Sequence, residues 1–156
     1  MTAPREVLEA APAKVNLALH VTGRLVGGCI ETVSNLAGTP YGDVAAFGRA
    51  HAQDGLVVSV EAAEDGAAAI CRNLHGLRLA GWFDHARAIL VGRTSAPDHP
   101  QLTQREAVLD ALGRLNVPIV FDMEIGHVPP QLPLVNGALA SLTIDGDTRE
   151  ITQRLD

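Results

Sequence analysis

The sequence predicts one mixed α/β domain with an added β-hairpin at its N-terminus. Strand-like and helix-like segments alternate between residues 56 and 121, which is typical of strand–helix–strand units. The chain then ends in a second hairpin, because Asp145-Gly146 separates strand-like segments over residues 138–144 and 150–154. A chain of 156 residues is long enough for one domain with a hydrophobic core and too short for two ordinary ones.

The first part of the chain predicts the added hairpin. Residues 6–10 and 15–21 are short strand-like segments, and apolar and polar side chains alternate along the second one. A period of two is typical of a strand with one apolar face. We expect Gly23 to end this hairpin and Gly27-Gly28 to begin the next unit.

The middle of the chain predicts alternating helices and strands. The helices have apolar residues at helical spacing, and the strands are short runs of apolar and β-branched residues. We expect Gly81 to cap one helix, and Thr103 with Glu106 forms a capping box before another. A Gly/Pro-rich stretch at 126–133 predicts a loop. The predicted elements are, in order, a helix over 29–36, a strand over 56–60, a helix over 67–79, a strand over 88–92, a helix over 107–115 and a strand over 118–121.

Composition excludes several classes of protein. The net charge is −6, and Lys14 is the single lysine, so we expect neither nucleic acid nor an anionic membrane as a partner. No apolar run approaches the ~20 residues that cross a bilayer, and no secretory signal is recognisable, so we expect a cytoplasmic protein. Cys29 and Cys71 fit neither a metal-binding nor a CxxC spacing. We expect two buried free thiols, no metal and no cofactor.

Several motifs after residue 25 carry a family resemblance. They are, in order, Gly27-Gly28-Cys29, LAGTPY over 36–41, VVSVE over 57–61, LRLAG over 77–81, ILVGR over 89–93, VPI over 117–119, IGH over 125–127 and the stretch 133–138 that begins Pro-Leu. In this order they resemble the C-terminal domain of the LD-carboxypeptidases, a family that includes the microcin-immunity carboxypeptidases. The resemblance implies a swivelling β/β/α-type domain over residues 25–156. It also implies serine peptidase chemistry on L,D-amides of muropeptides, with a Ser-His-Glu triad.

The resemblance gives Glu61 and His127 roles in that triad. Glu61 would orient the imidazole, and His127 would be the general base. A histidine titrates near neutrality and can move the serine proton in both directions, and a carboxylate on its far nitrogen stabilises the imidazolium. No serine of the sequence lies in a glycine-flanked nucleophile elbow. We expect Ser59, which shares a strand face with Glu61, to be packed rather than nucleophilic.

In the family, the nucleophilic serine and the oxyanion hole lie in a separate N-terminal domain. We expect this chain to lack that domain and therefore to have no catalytic activity of its own, because a base without a nucleophile cannot run acyl transfer. Two alternatives stay open. In the first, the chain is a peptidase that acts on muropeptides with a serine supplied from elsewhere. In the second, it is a module that binds muropeptide fragments weakly.

A second resemblance lies in the first 24 residues. APAKVNL over 11–17 and LHVTGR over 19–24 resemble the start of 4-diphosphocytidyl-2-C-methylerythritol kinase, of the GHMP kinase superfamily. The resemblance implies that Lys14 and Asn16 derive from a substrate site. The sequence has no glycine/serine-rich phosphate loop, so we expect no phosphoryl transfer. We interpret the chain as a chimera of a kinase-like hairpin, 1–24, and a carboxypeptidase-like domain, 25–156.

This interpretation predicts self-association. A carboxypeptidase domain without its partner domain would expose a surface that is normally covered, or an open sheet edge. Such surfaces favour pairing between copies and exchange of segments. We therefore expect a homodimer or a higher oligomer.

Overall fold

A computed structural model describes residues 18–155 of the chain. Within this range it contains one six-stranded sheet and four α-helices, so the predicted mixed α/β class is confirmed. Two short 3₁₀ turns, Ser34–Leu36 and Pro40–Gly42, join the first two helices. The elements in chain order are β1 Leu19–Cys29, α1 Ile30–Val33, α2 Val44–His51, β2 Leu56–Glu61, α3 Ala67–Leu79, β3 Ala86–Gly92, α4 Gln104–Leu112, β4 Ile119–Met123, β5 Leu139–Asp145 and β6 Thr148–Arg154.

The sheet combines a parallel and an antiparallel part in the order β4-β3-β2-β1-β5-β6. Strands β1 to β4 are parallel, because helical connections return the chain to the same end of the sheet each time. Strand β5 pairs antiparallel with β1, and β6 pairs antiparallel with β5. The carboxyl ends of β1 to β4 therefore lie along one edge of the domain.

Each face of the sheet carries its own hydrophobic cluster. One cluster packs Leu56, Val58 and Val60 of β2 against the helices, including Ile70 and Leu74 of α3. The other cluster lies on the opposite face, and its buried members are Leu25, Val57, Ala88, Leu90, Val120, Met123, Ile125, Ala140, Leu142 and Ile144. Every residue of β2 is buried, as expected for a strand covered on both sides.

The sheet brings its two edge strands toward each other. Nη1 of Arg149 on β6 donates a hydrogen bond of 3.4 Å to the carbonyl oxygen of Phe121 on β4. Among residues 18–155, no helix is long and apolar enough to cross a bilayer.

Local sequence signals predicted several elements correctly. Helix α3 has the predicted bounds, and it ends with two hydrogen bonds, from Gly81 N to Arg78 O and from Trp82 N to Leu77 O. The C-terminal hairpin is present as β5 and β6. The predicted capping box also forms, but α4 begins directly after Thr103, three residues earlier than the predicted helix. The box satisfies the first backbone N–H groups, so the helix starts at the cap rather than at the first apolar residue.

Three expectations require correction. The predicted break between Gly23 and Gly27 is wrong, because β1 continues through both positions. Its first half is held by β5 and its second half by β2, so ladder hydrogen bonds extend past the glycines. Helix α2 was missed, although Asp43 caps it by accepting a 2.8 Å hydrogen bond from Ala46 N. The thiols of Cys29 and Cys71 are free as expected, but they are partly exposed rather than buried.

Part of the predicted N-terminal hairpin lies outside the described residues. This applies to its first strand, to Lys14 and to Asn16. Residues 19–21 of its second strand lie in β1 and pair with β5. The predicted boundary between residues 24 and 25 falls inside β1.

Candidate functional site

The candidate site lies where the four parallel strands end. Cys29 is the last residue of β1 and pairs in register with Glu61, the last residue of β2. Strand β4 ends at Met123, and the loop that follows it carries His127. In open α/β sheets, ligands bind outside the carboxyl ends of the strands. The fold therefore collects the polar residues of several strands at the edge where a site is expected.

Glu61 and His127 form a direct hydrogen-bonded pair. Nδ1 of His127 lies 3.0 Å from Oε1 and 3.1 Å from Oε2 of Glu61. An ionised carboxylate only accepts hydrogen bonds, so Nδ1 must carry the proton. In the neutral imidazole, Nε2 is then the nitrogen with a free lone pair. This is the tautomer that a general base needs.

The two partners differ sharply in exposure. The side chain of Glu61 is 7% exposed, whereas that of His127 is 62% exposed. Among residues 18–155, no hydrogen bond forms to Nε2 of His127, and the imidazole is largely exposed. The hydrogen bond to Glu61 raises the pKa of His127 above its ordinary value, and the charges of Glu61, Glu31 and Glu64 add to this effect. The buried carboxylate therefore holds a basic imidazole at the surface.

Two glycines make room for the Glu61 side chain. A Cβ atom at Gly92 would lie 2.7 Å from Cβ of Glu61, and one at Gly126 would lie 2.5 Å from Cγ and 2.6 Å from Oε2. Gly126 also has a φ of +92°, which L side chains adopt only with strain. The glycine directly before His127 thus allows the loop to lie against the carboxylate.

Arg93 holds the loop that carries His127. Its backbone N–H bonds the carbonyl of Met123 at 3.0 Å. Its Nη2 donates to the carbonyl oxygens of Pro130 at 2.7 Å and Val128 at 3.3 Å. These contacts lie on both sides of His127, so Arg93 positions the loop.

Glu31 holds the loop that follows Glu61 by hydrogen bonds to its backbone. Its Oε1 accepts hydrogen bonds of 2.9–3.0 Å from three consecutive backbone N–H groups, those of residues 63–65. Its Oε2 accepts one of 3.1 Å from the thiol of Cys29. Desolvation raises the pKa of Glu31, but the hydrogen bonds from Asp65 N, Cys29 and Glu64 N outweigh it and lower the pKa to about 2. The motif pattern does not single out Glu31, because its partners become neighbours only when β1 and β2 pair.

The serines do not complete a triad among the described residues. Ser59 is buried two positions before Glu61, as expected for a packed residue. Ser141 lies on β5, where its hydroxyl is 3.3 Å from that of Thr22. No serine of residues 18–155 hydrogen-bonds His127, and residues 1–17 contain none. The described residues therefore show the Glu–His pair without a serine bound to it.

A metal site at this position is not favoured. Cys29, Glu61 and His127 each present one potential ligand atom, all within 4.8 Å of one another. However, Nδ1 of His127 carries the proton that binds Glu61, and the thiol proton of Cys29 is donated to Glu31. The thiol of Cys29 thus bonds a residue outside the group of three. The observed hydrogen bonds suit an acid–base pair better.

Two hollows lie near the carboxyl ends of the parallel strands. A small one of about 170 Å³ lies against Cys29, Glu61 and Gly126. A larger one of about 580 Å³ lies between the ends of β3 and β4 and helix α4, and its wall includes Arg93, Arg105 and Val128. The second hollow is in the size range of small-molecule sites.

The chain is similar to known proteins over most of its length. A family model described as the LD-carboxypeptidase C-terminal domain matches residues 22–142. A Streptomyces coelicolor protein named "Putative carboxypeptidase" is 32% identical over 130 residues, which is 83% of this chain and 39% of that protein. A Vibrio cholerae protein with the same name is 24% identical over 136 residues, with coverages of 86% and 39%.

Solved structures share the fold. The muramoyltetrapeptide carboxypeptidase of Oxalobacter formigenes has a TM-score of 0.70 at 22% identity, over 89% of this chain and 46% of that one. The microcin C7 self-immunity protein in complex with aspartyl sulfamoyl adenosine has a TM-score of 0.66 at 22% identity, over 88% and 39%. This chain thus spans less than half the length of each of these four proteins.

Proposed function

This chain belongs to the family of LD-carboxypeptidase C-terminal domains, and we propose that it supplies two residues, Glu61 and His127, of a Ser-His-Glu triad. One observation carries the proposal. The buried carboxylate of Glu61 accepts the proton on Nδ1 of His127, while Nε2 of the largely exposed imidazole has no hydrogen-bond partner among residues 18–155. This arrangement directs the basic nitrogen toward a group that the described domain does not itself provide.

The proposed chemistry needs a serine from outside this sequence. As the serine oxygen attacks the carbonyl carbon of an L,D-amide, Nε2 of His127 takes the hydroxyl proton. Glu61 stabilises the imidazolium that forms. The imidazolium then gives the proton to the nitrogen of the departing D-amino acid, and water releases the acyl group by the same steps. Muropeptides are the proposed substrate class, with a terminal D-amino acid as the leaving group.

We propose that the 156-residue chain alone does not hydrolyse such amides. None of its four serines hydrogen-bonds His127, and an isolated base provides neither the covalent step nor oxyanion stabilisation. A serine-directed fluorophosphonate should therefore leave the isolated chain unlabelled. Stoichiometric labelling of any of the four serines would contradict this part of the proposal.

A domain graft tests the triad half directly. Residues 22–142 would replace the matching segment of the O. formigenes carboxypeptidase, and release of D-alanine from a muramoyl tetrapeptide would be followed by mass spectrometry. We expect hydrolysis by the graft, and a loss of about 10³-fold or more in kcat for His127→Ala. His51→Ala is the matched control, since His51 lies at the end of α2 and its ring packs against Phe47. A folded graft that keeps its kcat after His127→Ala would overturn the proposal.

A binding module is the second candidate. The wall of the hollow of about 580 Å³ beside the His127 loop includes Arg93, whose charge suits a carboxylate of a muropeptide. Calorimetric titration of the isolated chain with a muramoyl tetrapeptide tests this candidate. Saturable binding without hydrolysis, weakened by Arg93→Met, would support it. The absence of heat at millimolar ligand would exclude it.

We also propose that the chain self-associates. Strands β4 and β6 are the edges of the sheet, and Tyr41 and Leu79 are large apolar side chains that are 89% and 84% exposed. Edge strands and exposed apolar groups favour contacts between copies. Light scattering on a sizing column should give at least the mass of a dimer. A monomer across the accessible concentration range contradicts this.

A further inference from the structure

A second group of metal-binding side chains lies away from Glu61 and His127, where α3 and α4 pack together. Cys71 and His75 are one turn apart on α3, so their side chains share one face of the helix. Asp110 faces them from α4. Its Oδ2 lies 2.8 Å from Nε2 of His75 and accepts a 3.4 Å hydrogen bond from Sγ of Cys71. One carboxylate oxygen thus joins both side chains of the neighbouring helix.

The three ligand atoms have the separations of a metal site. One atom each from Cys71, His75 and Asp110 lies within 4.8 Å of the other two. Zinc bonds of about 2.3 Å to sulfur and about 2.1 Å to nitrogen and oxygen place neighbouring ligands of a tetrahedron about 3.4–3.6 Å apart. The observed Oδ2–Sγ distance is 3.4 Å, and the Oδ2–Nε2 distance of 2.8 Å must open slightly. The side chains of His75 and Asp110 are 35% and 62% exposed, so they have room to adjust.

We propose that Cys71, His75 and Asp110 form a zinc site that links α3 to α4. The thiolate, imidazole and carboxylate would occupy three positions of a tetrahedron, and a water molecule would occupy the fourth. On binding, the thiol of Cys71 loses its proton to solvent, and the hydrogen bonds to Asp110 are replaced by bonds to the ion. The spacing of the two cysteines fits no metal-binding motif, so it predicts no metal site. The ligands proposed here are one cysteine, a histidine on the same helix and an aspartate on the neighbouring helix, and cysteine spacing cannot identify such a set.

Without a metal, His75 and Asp110 form an ion pair between the two helices. The positive charges of nearby arginines oppose the binding of a cation. Arg72 and Arg114 lie close enough to influence Cys71 and Asp110. The ligands contribute two negative charges once the thiol has ionised, which offsets these arginines. The ligand types distinguish the two uses, because an ion pair needs only His75 and Asp110, whereas the zinc site also needs the sulfur.

Cobalt spectroscopy tests the proposal on the full chain. The background variant Cys29→Ser leaves Cys71 as the sole thiol, since the sequence has two cysteines, and it removes the thiol beside Glu61. Titration with Co²⁺ should produce a sulfur-to-cobalt charge-transfer band and the visible bands of a tetrahedral ion, and Zn²⁺ should displace both. Adding Cys71→Ser should abolish the charge-transfer band. His75→Gln and Asp110→Asn should each weaken cobalt binding at least about tenfold.

Thermal unfolding provides a second readout. Zn²⁺ should raise the melting temperature of the Cys29→Ser chain, because the ion binds only when α3 and α4 are packed. Circular dichroism establishes that each variant is folded. The proposal is overturned if saturating cobalt gives no charge-transfer band in the Cys29→Ser chain, or if binding is unchanged in folded His75→Gln and Asp110→Asn. The result is independent of the Glu61–His127 pair, which contributes no ligand.

Discussion

Nδ1 of His127 lies 3.0 Å from Oε1 of Glu61, although 66 positions separate the two residues in the chain. Two strand ends create this relationship. Glu61 ends β2, while the loop after β4 crosses the end of the intervening strand β3 and returns to the carboxylate. A side chain at Gly92 or Gly126 would collide with Glu61, so the two glycines allow the Glu61 side chain to lie where His127 reaches it.

The first prediction concerns the basicity of His127. Replacing Glu61 by Gln removes the charged acceptor that is the main cause of the raised pKa, so the pKa of His127 should fall. The pKa would be measured by NMR titration of the imidazole. Glu124→Gln is the control, because Glu124 lies in the same loop but pairs with Arg93 instead. An unchanged pKa in Glu61→Gln would show that the hydrogen bond does not form in solution.

The same shift predicts a pH profile for the grafted enzyme. His127 accepts a proton only in its neutral form, which predominates above its pKa. Because Glu61 raises that pKa, kcat/KM should increase as the pH rises through a value above 6.5, the ordinary value for histidine. A profile that is flat between pH 6 and 9 would contradict His127 as the base.

The second prediction separates steric fit from backbone strain at Gly126. Gly126→Ala should destabilise the fold by about 3 kcal/mol, since it combines a left-handed conformation with a collision against Glu61. Gly137→Ala is a matched control with a φ of +87° and no atom within 4 Å of the added Cβ. It should cost only about 1 kcal/mol. Urea unfolding measures both, and equal losses would exclude the steric contribution.

The third prediction concerns Glu31 and acid stability. The pKa of Glu31 is lowered from 4.5 to about 2 in the folded state. A lowered pKa contributes stability that is fully present above 4.5 and is lost as the pH falls toward 2. Glu31→Gln should therefore lower the free energy of unfolding at pH 7 by about 1 kcal/mol, a value reduced because the carboxylate is partly solvated. The difference from the parent chain should shrink toward pH 2.

Glu64→Gln provides the control for this experiment. It removes a charge from the same loop but keeps the backbone N–H groups that Glu31 binds. Its free energy of unfolding should stay within about 0.5 kcal/mol of the parent value. If Glu31→Gln and Glu64→Gln have the same pH dependence, the hydrogen bonds to residues 63–65 do not determine acid stability.

The fourth prediction concerns the predicted boundary between residues 24 and 25. A chain of residues 25–156 loses the six residue pairs between 19–24 of β1 and β5. It should melt at a lower temperature than the full chain. Its free energy of unfolding should be lower by about 3 kcal/mol or more. A chain of residues 18–156 keeps these pairs and isolates the contribution of the first 17 residues. Equal melting of the full chain and residues 25–156 would show that β1 does not need its first half.

Much of the fold follows from local patterns in the sequence. The periodicity of residues 67–79, the capping box at Thr103 and the turn at Asp145-Gly146 each act over a few neighbouring residues, and all three are present in the structure. Helix α2 and the continuous β1 were missed. A short helix with one cap has a weak local signal, and the glycines of β1 are held in an extended strand by partners distant in sequence.

The sequence by itself determined the residue types of the candidate site, because the ordered motifs around Glu61 and His127 are recognisable without coordinates. Only the tertiary structure decided that the carboxylate is buried and the imidazole exposed, that Glu31 and Arg93 hold the two loops, and that Asp110 meets Cys71 and His75. Hydrogen bonds along one helix or turn depend on residues a few positions apart. These other contacts depend on strand register and helix packing, which bring together residues that no local pattern connects.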